Sequence, residues 1–361
     1  MPLLFEPITV GNLEIANRMW VAPMCQYSCF AQDGLPTDWH LVHLGAFAQG
    51  GFGLIMTEAS AVNPEGRISP EDAGIWNDEQ RNAWRRVVDF VHTQNRHIGI
   101  QLAHAGRKAS RFSPFSRNSR GDVPESEGGW VPVGPTDEPF PGYGSSPQAL
   151  DEAEIQQVIA DFRAAAIRAK DAGFDVIELH AAHGYLLHEF YSPLTNTRTD
   201  GWGGDFDGRI RLTLEATDAI REVWDGPLFV RISATDWTDG GWTIDDSIEL
   251  AKRLKAHGVD LIDTSSGSNV PADIPTGPGY QVPLAAAINE QVDIQVGAVG
   301  LITDPAQAEE ILQKDQADVV LLGRVALREP HWPQRAAAEL GVHRDDAPYA
   351  PQHERGAWPR K

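Results

Sequence analysis

Residues 294–324 read Ile294-Gln-Val-Gly-Ala-Val-Gly-Leu-Ile-Thr-Asp-Pro-Ala-Gln-Ala-Glu-Glu-Ile-Leu-Gln-Lys-Asp-Gln-Ala-Asp-Val-Val-Leu-Leu-Gly-Arg324. A short apolar run, Ile294–Val296, passes through Gly297-Ala298-Val299-Gly300 into an amphipathic stretch over Pro305–Lys314. A second apolar run, Val319–Leu322, follows and ends at Gly323-Arg324. Runs of near-continuous Val, Ile and Leu fit strands buried on both faces, and the stretch between them fits a crossover helix.

The same alternation extends back along the chain. Apolar runs occupy Met19–Met24, Gly53–Thr57, Ile98–Leu102, Val176–Leu179, Leu228–Ile232 and Val259–Ile262. Helical periodicity covers Asp151–Ala172, with Ile155, Ile159, Phe162, Ala166 and Ala169 on one face, and Asp246–His257. Eight strands separated by helices predict an α/β chain folded as one (β/α)8 TIM barrel over 1–361. A doubly wound sheet is the rival. The count of eight, and no Gly-x-Gly-x-x-Gly after the first strand, favour the barrel.

Three segments fall outside the repeat. Phe5–Asn17 alternates around Gly11-Asn12, as an N-terminal hairpin would. Ser110–Leu150 is rich in Gly, Pro and Ser and follows the third strand, so 110–150 is expected to cap the top of the barrel. After Leu340 the chain carries Pro348, Pro351 and Pro359 without a helical period, yet also Tyr349, Arg355 and Trp358. Trp, Tyr and Arg are enriched at interface hot spots, so 341–361 is expected to make subunit contacts.

Composition narrows the function classes. The chain has 51 acidic and 30 basic residues, a net charge of −21. That argues against nucleic acid or an anionic membrane as partner, since phosphates are held by clustered Lys and Arg. Two cysteines, Cys25 and Cys29, cannot make a disulfide scaffold or a four-thiolate metal site. The start, Met1-Pro-Leu-Leu-Phe-Glu6, shows no leader pattern. A soluble cytoplasmic enzyme is expected.

In such a barrel the C-terminal ends of the strands face the active site. Polar residues gather there: Cys25 and Tyr27 after the first strand, Gln101 on the third, His180, His183 and Tyr185 after the fourth, and Arg231 on the fifth. Gly300 after strand seven and Gly323-Arg324 after strand eight predict a phosphate site, because glycine lets the backbone approach the anion and Arg adds a bidentate charge. The phosphate belongs to a substrate or to a cofactor. His180 and His183 admit three readings: a metal pair, buried structural histidines, or paired N–H donors aimed at a carbonyl or oxyanion. No third ligand accompanies them, and no metal is expected. Arg231 on a core strand requires an anion, and Glu178 is the nearest candidate.

The motifs Val21-Ala-Pro-Met-Cys-Gln-Tyr27, Glu58-Ala-Ser-Ala-Val-Asn-Pro-Glu-Gly-Arg67, Gln101-Leu-Ala-His-Ala-Gly-Arg-Lys108, His180-Ala-Ala-His-Gly-Tyr185, Ser192-Pro-Leu-Thr-Asn-Thr-Arg-Thr-Asp200 and Leu322-Gly-Arg324 occur in this order. Together they resemble the old yellow enzyme family of FMN-dependent ene-reductases, in its thermophilic-like branch of NADPH dehydrogenases and xenobiotic reductases. The resemblance runs from about Phe5 to the C-terminus. It implies FMN, NADPH or NADH as electron donor, and reduction of activated C=C bonds in enones, enals, maleimides or nitroalkenes. Flavin N5 would deliver hydride and a tyrosine the proton.

Carried over motif by motif, the resemblance places Ala22, Pro23, Met24, Cys25, Ala59 and Gln101 around the flavin ring. Arg231 faces its N1/O2 edge, and Val299, Gly300, Gly323 and Arg324 take the phosphate side. His180 and His183 bind the activating group, Tyr27 contacts the substrate and Tyr185 donates the proton. Arg355 reaches a partner's pocket in a homodimer or dimer of dimers. Two departures stand out: the length of 110–150, and an extra alanine in Glu354-Arg-Gly-Ala-Trp358. Two alternatives use similar parts: a phosphate-binding barrel lyase or aldolase, and an FMN-dependent 2-hydroxy acid oxidoreductase. The first needs a Schiff-base lysine or a metal, and the second a basic histidine in place of a tyrosine acid.

Overall fold

The computed structural model describes residues 1–116 and 119–358. Pro359, at the end of the expected contact tail, lies outside the described residues, as do 117 and 118 of the 110–150 segment.

An antiparallel hairpin comes first, β1 (Ile8–Val10) and β2 (Leu13–Ile15), with Ile8 opposite Ile15. Gly11 makes its turn at φ +58°, a conformation that costs glycine little. The strands that follow are β3 (Met19–Val21), β4 (Leu54–Ala61), β5 (His97–Ala103), β6 (Val133–Gly134), β7 (Gln148–Ala149), β8 (Val176–Ala181), β9 (Leu228–Ser233), β10 (Leu261–Ser265), β11 (Gln295–Ala298) and β12 (Val319–Leu322). Eight of them, all but β1, β2, β6 and β7, close a barrel in the order β10-β11-β12-β3-β4-β5-β8-β9. Every ladder in it is parallel. The expected TIM barrel is the fold.

The helices are α1 (Asp38–Gly50), α2 (Asp78–Thr93), α3 (Glu152–Ala172), α4 (Leu186–Tyr191), α5 (Phe206–Arg221), α6 (Ile244–Ala256), α7 (Val282–Gln291), α8 (Pro305–Gln313), α9 (Arg324–Arg328) and α10 (Trp332–Glu339). Helix α3 buries the stripe its periodicity predicts. Asp151 caps it by accepting from Glu154 N, and Gly173 ends it at φ +91°. Helix α6 begins two residues before the predicted Asp246, because Thr243 and Asp246 form a capping box ahead of the apolar stripe. The first barrel strand ends at Val21, short of the predicted Met24. Pro23 has no N–H to give to a ladder, and the chain turns away to the mouth. Strand β4 runs on past Thr57 to Ala61, with a register shift between Met56 and Ala59.

Two apolar cores result. One lies between strands and helices. The other plugs the barrel interior: Trp20 stacks on Phe229 with centroids 5.6 Å apart, packed with Met56, Val176, Leu261, Val319 and Leu321. These residues come mostly from the N-terminal halves of the strands, and hairpin residues Ile8, Val10 and Ile15 seal that end. The polar side chains of the barrel therefore sit toward the opposite mouth.

The segment between β5 and α3 carries the short strands β6 and β7. It is pinned by Trp130 Nε1 donating to Glu65 O at 2.9 Å and by the Arg111–Asp122 ion pair. The tail carries two short 3₁₀ turns, Arg344–Asp346 and Pro351–Gly356, that the aperiodic sequence did not predict. The Trp358 N–H donates to Tyr349 Oη at 3.2 Å, and the His353 ring meets His331 at 5.6 Å. The tail is thus partly packed on its own chain, with Arg355 exposed and Trp358 54% exposed. Among the described residues no helix is long and apolar enough to cross a membrane.

Candidate active site

The loop after β3 carries Ala22, Pro23, Met24, Cys25 and Tyr27. Its path is set from behind. The Gln26 N–H donates to Glu58 Oε2 at 3.0 Å, and Glu58 Oε1 meets His40 Nε2 at 3.0 Å, both side chains being buried. Tyr27 takes a left-handed backbone, φ +50°. Burial, then the charges of Asp72 and Glu58, push the Cys25 thiol well above its usual range, so it stays protonated. Ala59 and Gln101, both buried, line the neighbouring strands β4 and β5.

The end of β8 carries a cluster of His180, His183 and Tyr185. The His180 and His183 rings lie 5.2 Å apart, and Tyr185 packs against His180 at 5.1 Å. His183 and Gly184 both have positive φ, +61° and +67°. A Cβ at Gly184 would stand 2.4 Å from Ser268 O, so only glycine fits that turn. The turn is held from several sides. Lys108 Nζ donates to His183 O at 2.7 Å and to Ser268 O at 2.6 Å. The His183 N–H donates to Ser233 Oγ at 2.9 Å. The Gly184 N–H donates to His188 Nδ1 at 2.9 Å, so the other nitrogen of His188 carries the proton that meets Asp236 Oδ1 at 2.9 Å.

Burial, and next the charge of Arg231, push His180 and His183 well below the usual imidazole range. Both are neutral, each with one N–H to donate. His183 Nε2 reaches Ser265 Oγ at 2.7 Å, whereas His180 Nδ1 is buried without a partner among the described residues. Burial pushes the Tyr185 hydroxyl well above its usual range, so it holds its proton. Among the described residues no group of three His, Cys, Asp or Glu side chains is arranged to hold a metal ion.

Arg231 departs from expectation in its partner. Its Nε stands 3.3 Å from Asp263 Oδ2, the residue opposite it on β10, while Glu178 accepts instead from Gln101 Nε2 at 2.7 Å. Register explains this: Arg231 pairs laterally with Asp263, and Glu178 lies one pleat deeper beside Phe229.

From Arg231 a cavity of about 180 Å³ runs to Arg324, lined by Ser265, Gln281, Val299, Gly300 and Gly323. Gly300 sits at φ +130°, where a Cβ would come within 3.1–3.2 Å of Gln281 and Tyr280. The glycine keeps this cradle open and its backbone accessible. A guanidinium at each end, hydroxyl and amide donors between, and an unpartnered imidazole nitrogen nearby fit a phosphate-bearing, acceptor-rich ring such as FMN.

Sequence reasoning missed Ser265, Gln281, Tyr280, Lys108, His188, Asp236 and the Glu58–His40 pair. Lys108 and Glu58 stood inside quoted motifs, and His188 lies one turn beyond Tyr185. Ser265 ends a strand that offered no other polar signal than Asp263 and Thr264.

A family profile described as NADH:flavin oxidoreductase / NADH oxidase matches residues 3–342. The chain belongs to this family. An NADPH dehydrogenase of Bacillus velezensis is 48% identical over 355 residues, 98% of this chain and 99% of that one. That of Geobacillus thermodenitrificans is 48% identical over 98% of both chains. Among solved structures, morphinone reductase in complex with tetrahydroNAD superposes with a TM-score of 0.78 at 28% identity, covering 95% of this chain and 92% of that one. A 2-naphthoyl-CoA reductase complex gives 0.85 at 25% identity, covering 93% of this chain and 52% of that one. This member of the NADH:flavin oxidoreductase family is therefore an old yellow enzyme-type oxidoreductase that uses FMN and a nicotinamide electron donor. The lyase or aldolase reading falls away.

Proposed function

We propose that this enzyme reduces activated C=C bonds, in the class of enones, enals, maleimides and nitroalkenes, at the mouth of the barrel. The observation that carries this reading is the cluster of two neutral imidazoles and one protonated phenol at the end of β8. FMN, when bound, would supply the redox chemistry between NADPH or NADH and the alkene.

The residues present fit that cofactor. Arg324, Gly323, Val299 and Gly300 hold the phosphate end, and Arg231 places a fixed positive charge at the other end of the cavity. Ala22, Pro23, Met24, Ala59 and Gln101 would pack around the FMN ring, with the Cys25 S–H at the ring edge. His180 and His183 donate to the carbonyl or nitro oxygen. Their neutrality matters, since an uncharged donor polarises the acceptor without surrendering its proton first. Tyr27 covers the bound substrate. Tyr185 keeps its proton until negative charge grows on the α-carbon, then gives it up there.

The 110–150 segment acts as a cap: Phe115 meets the Tyr27 ring edge-on at 5.7 Å, and Phe140 covers Lys108 at 4.6 Å. Exposed Arg355 and Trp358 support a homodimer or dimer of dimers in which the tail reaches a neighbour's pocket. Two free thiols fit a cytoplasmic setting. The FMN-dependent 2-hydroxy acid reading wants a basic histidine, whereas burial and the charge of Arg231 lower the proton affinity of both His180 and His183. The test is anaerobic: NADPH-reduced enzyme mixed with a cyclic enone and a nitroalkene. Return of the oxidised flavin spectrum with formation of the saturated product is expected. A reduced enzyme that both alkenes leave unchanged overturns the reading.

A further inference from the structure

Glu178 on β8 and Asp263 on β10 flank Arg231 on β9, and all three are buried just above the apolar plug of the barrel. Glu178 Oε1 is satisfied by Gln101. Glu178 Oε2 and both oxygens of Asp263 find no hydrogen-bond donor among the described residues, the 3.3 Å approach of Arg231 being an ionic contact whose N–H is not aimed at the carboxylate. The two carboxyl groups stand within hydrogen-bonding reach of each other. Two ionised carboxylates only accept and repel, whereas one shared proton turns the same contact into a hydrogen bond. With that proton the pair carries one negative charge, which balances Arg231.

Burial, then the charge of its neighbour, raises Glu178 well above the usual carboxylate range, and burial raises Asp263 against the pull of Arg231. The charged groups around the pair are few. Arg231 projects from β9, and His180 and His183 from the end of β8 are neutral. Tyr280 and Arg324 lie beyond Arg231 along the cavity. The facing residues of β4 and β5 are uncharged Thr57 and Gln101, and β3, β11 and β12 contribute no titratable group.

We propose that Glu178 and Asp263 form a redox-linked proton store, sharing one proton beside Arg231 while the flavin is oxidised and taking up a second when it is reduced. The hydride of NADPH brings two electrons and one proton, and NADP⁺ leaves. A flavin reduced in this way would bear one negative charge, with Arg231 as the facing cation. A new anion there raises the proton affinity of nearby carboxylates. One proton from solvent forms an O–H bond on the pair, no bond breaks, and the charge around Arg231 is restored. The idea rests on Arg231 facing the flavin, as read above, and not on which alkene is reduced.

Spectroelectrochemical titration of the FMN-bound enzyme between about pH 6 and pH 8 tests it. Each proton coupled to a two-electron reduction changes the reduction constant tenfold per pH unit, about 30 mV. The wild type is expected to lose about 100-fold per pH unit, about 59 mV, and Glu178→Gln only about tenfold. Asp263→Asn should behave alike and serves if the first variant does not fold. Infrared difference spectra should show a protonated-carboxyl stretch appearing on reduction of the wild type and absent from both variants. A tenfold slope in the wild type overturns the proposal. So does a 100-fold slope kept by both variants, which puts the second proton on the flavin. Arg231→Met separates the two readings: a potential that this variant leaves unmoved refutes the placement of Arg231, whereas a moved potential with unchanged slopes in the carboxyl variants refutes the store alone.

Discussion

The ammonium of Lys108 bridges the carbonyl oxygens of His183 and Ser268, at 2.7 and 2.6 Å, and so ties the turn that carries the β8 cluster to the loop after β10. Burial lowers this lysine to about 8. Below that pH it donates as a cation, and above it as a neutral amine with hydrogen bonds roughly half as strong. The rate of reoxidation by an alkene should therefore decline as pH rises through about 8. Lys108→Met should lower that rate roughly tenfold and abolish this break, as stopped-flow pH profiles would show. The same break in Lys108→Met would assign it to another group.

Arg324→Ala should weaken FMN retention. A hydrogen bond to a charged group contributes about 1.5–3 kcal/mol, which is roughly 10- to 100-fold in Kd. Fluorescence of flavin released on dilution measures it directly. Retention equal to the wild type would leave the cavity between Arg231 and Arg324 without its phosphate role.

His188→Ala removes the acceptor of the Gly184 N–H and strands buried Asp236, whose remaining partners are Ser192 Oγ and the Trp242 N–H. Losing a hydrogen bond to a buried charged group costs about 1.5–3 kcal/mol. The denaturant midpoint should fall accordingly. An unchanged midpoint would mean that the turn is held well enough by Lys108 and Ser233.

Much of the fold is legible in the sequence because parallel strands buried on both faces leave continuous apolar runs, as Leu228–Ile232 and Val319–Leu322 do. The strand ends are less legible. The register shift inside β4 and the early exit of β3 depend on hydrogen bonds from neighbouring strands. The site divides the same way. Residues on quoted motifs, such as His180, His183 and Tyr185, can be pointed to along the chain, and the structure brings these three into ring contact. The partner of Arg231 cannot be read so, because lateral register between β9 and β10, not proximity in sequence, selects Asp263 over Glu178. The Ser265–Gln281 side of the cavity joins residues 16 positions apart through a loop without periodicity.

Subunit mixing examines the tail. If Arg355 completes a neighbour's pocket, Arg355→Ala subunits mixed with Tyr185→Phe subunits should regain activity where an intact pocket meets an intact tail. Confirmed mixed dimers without recovery would confine Arg355 to its own chain or remove it from the chemistry.

The proposed role of Tyr185 as the proton donor in alkene reduction is tested by stopped-flow separation of the two half-reactions of Tyr185→Phe. General acids contribute about 10²–10⁴-fold. Flavin reduction by NADPH is expected at the wild-type rate, and reoxidation by an enone slowed by about that factor. Reoxidation at the full rate, or an equal loss in both half-reactions, would contradict it.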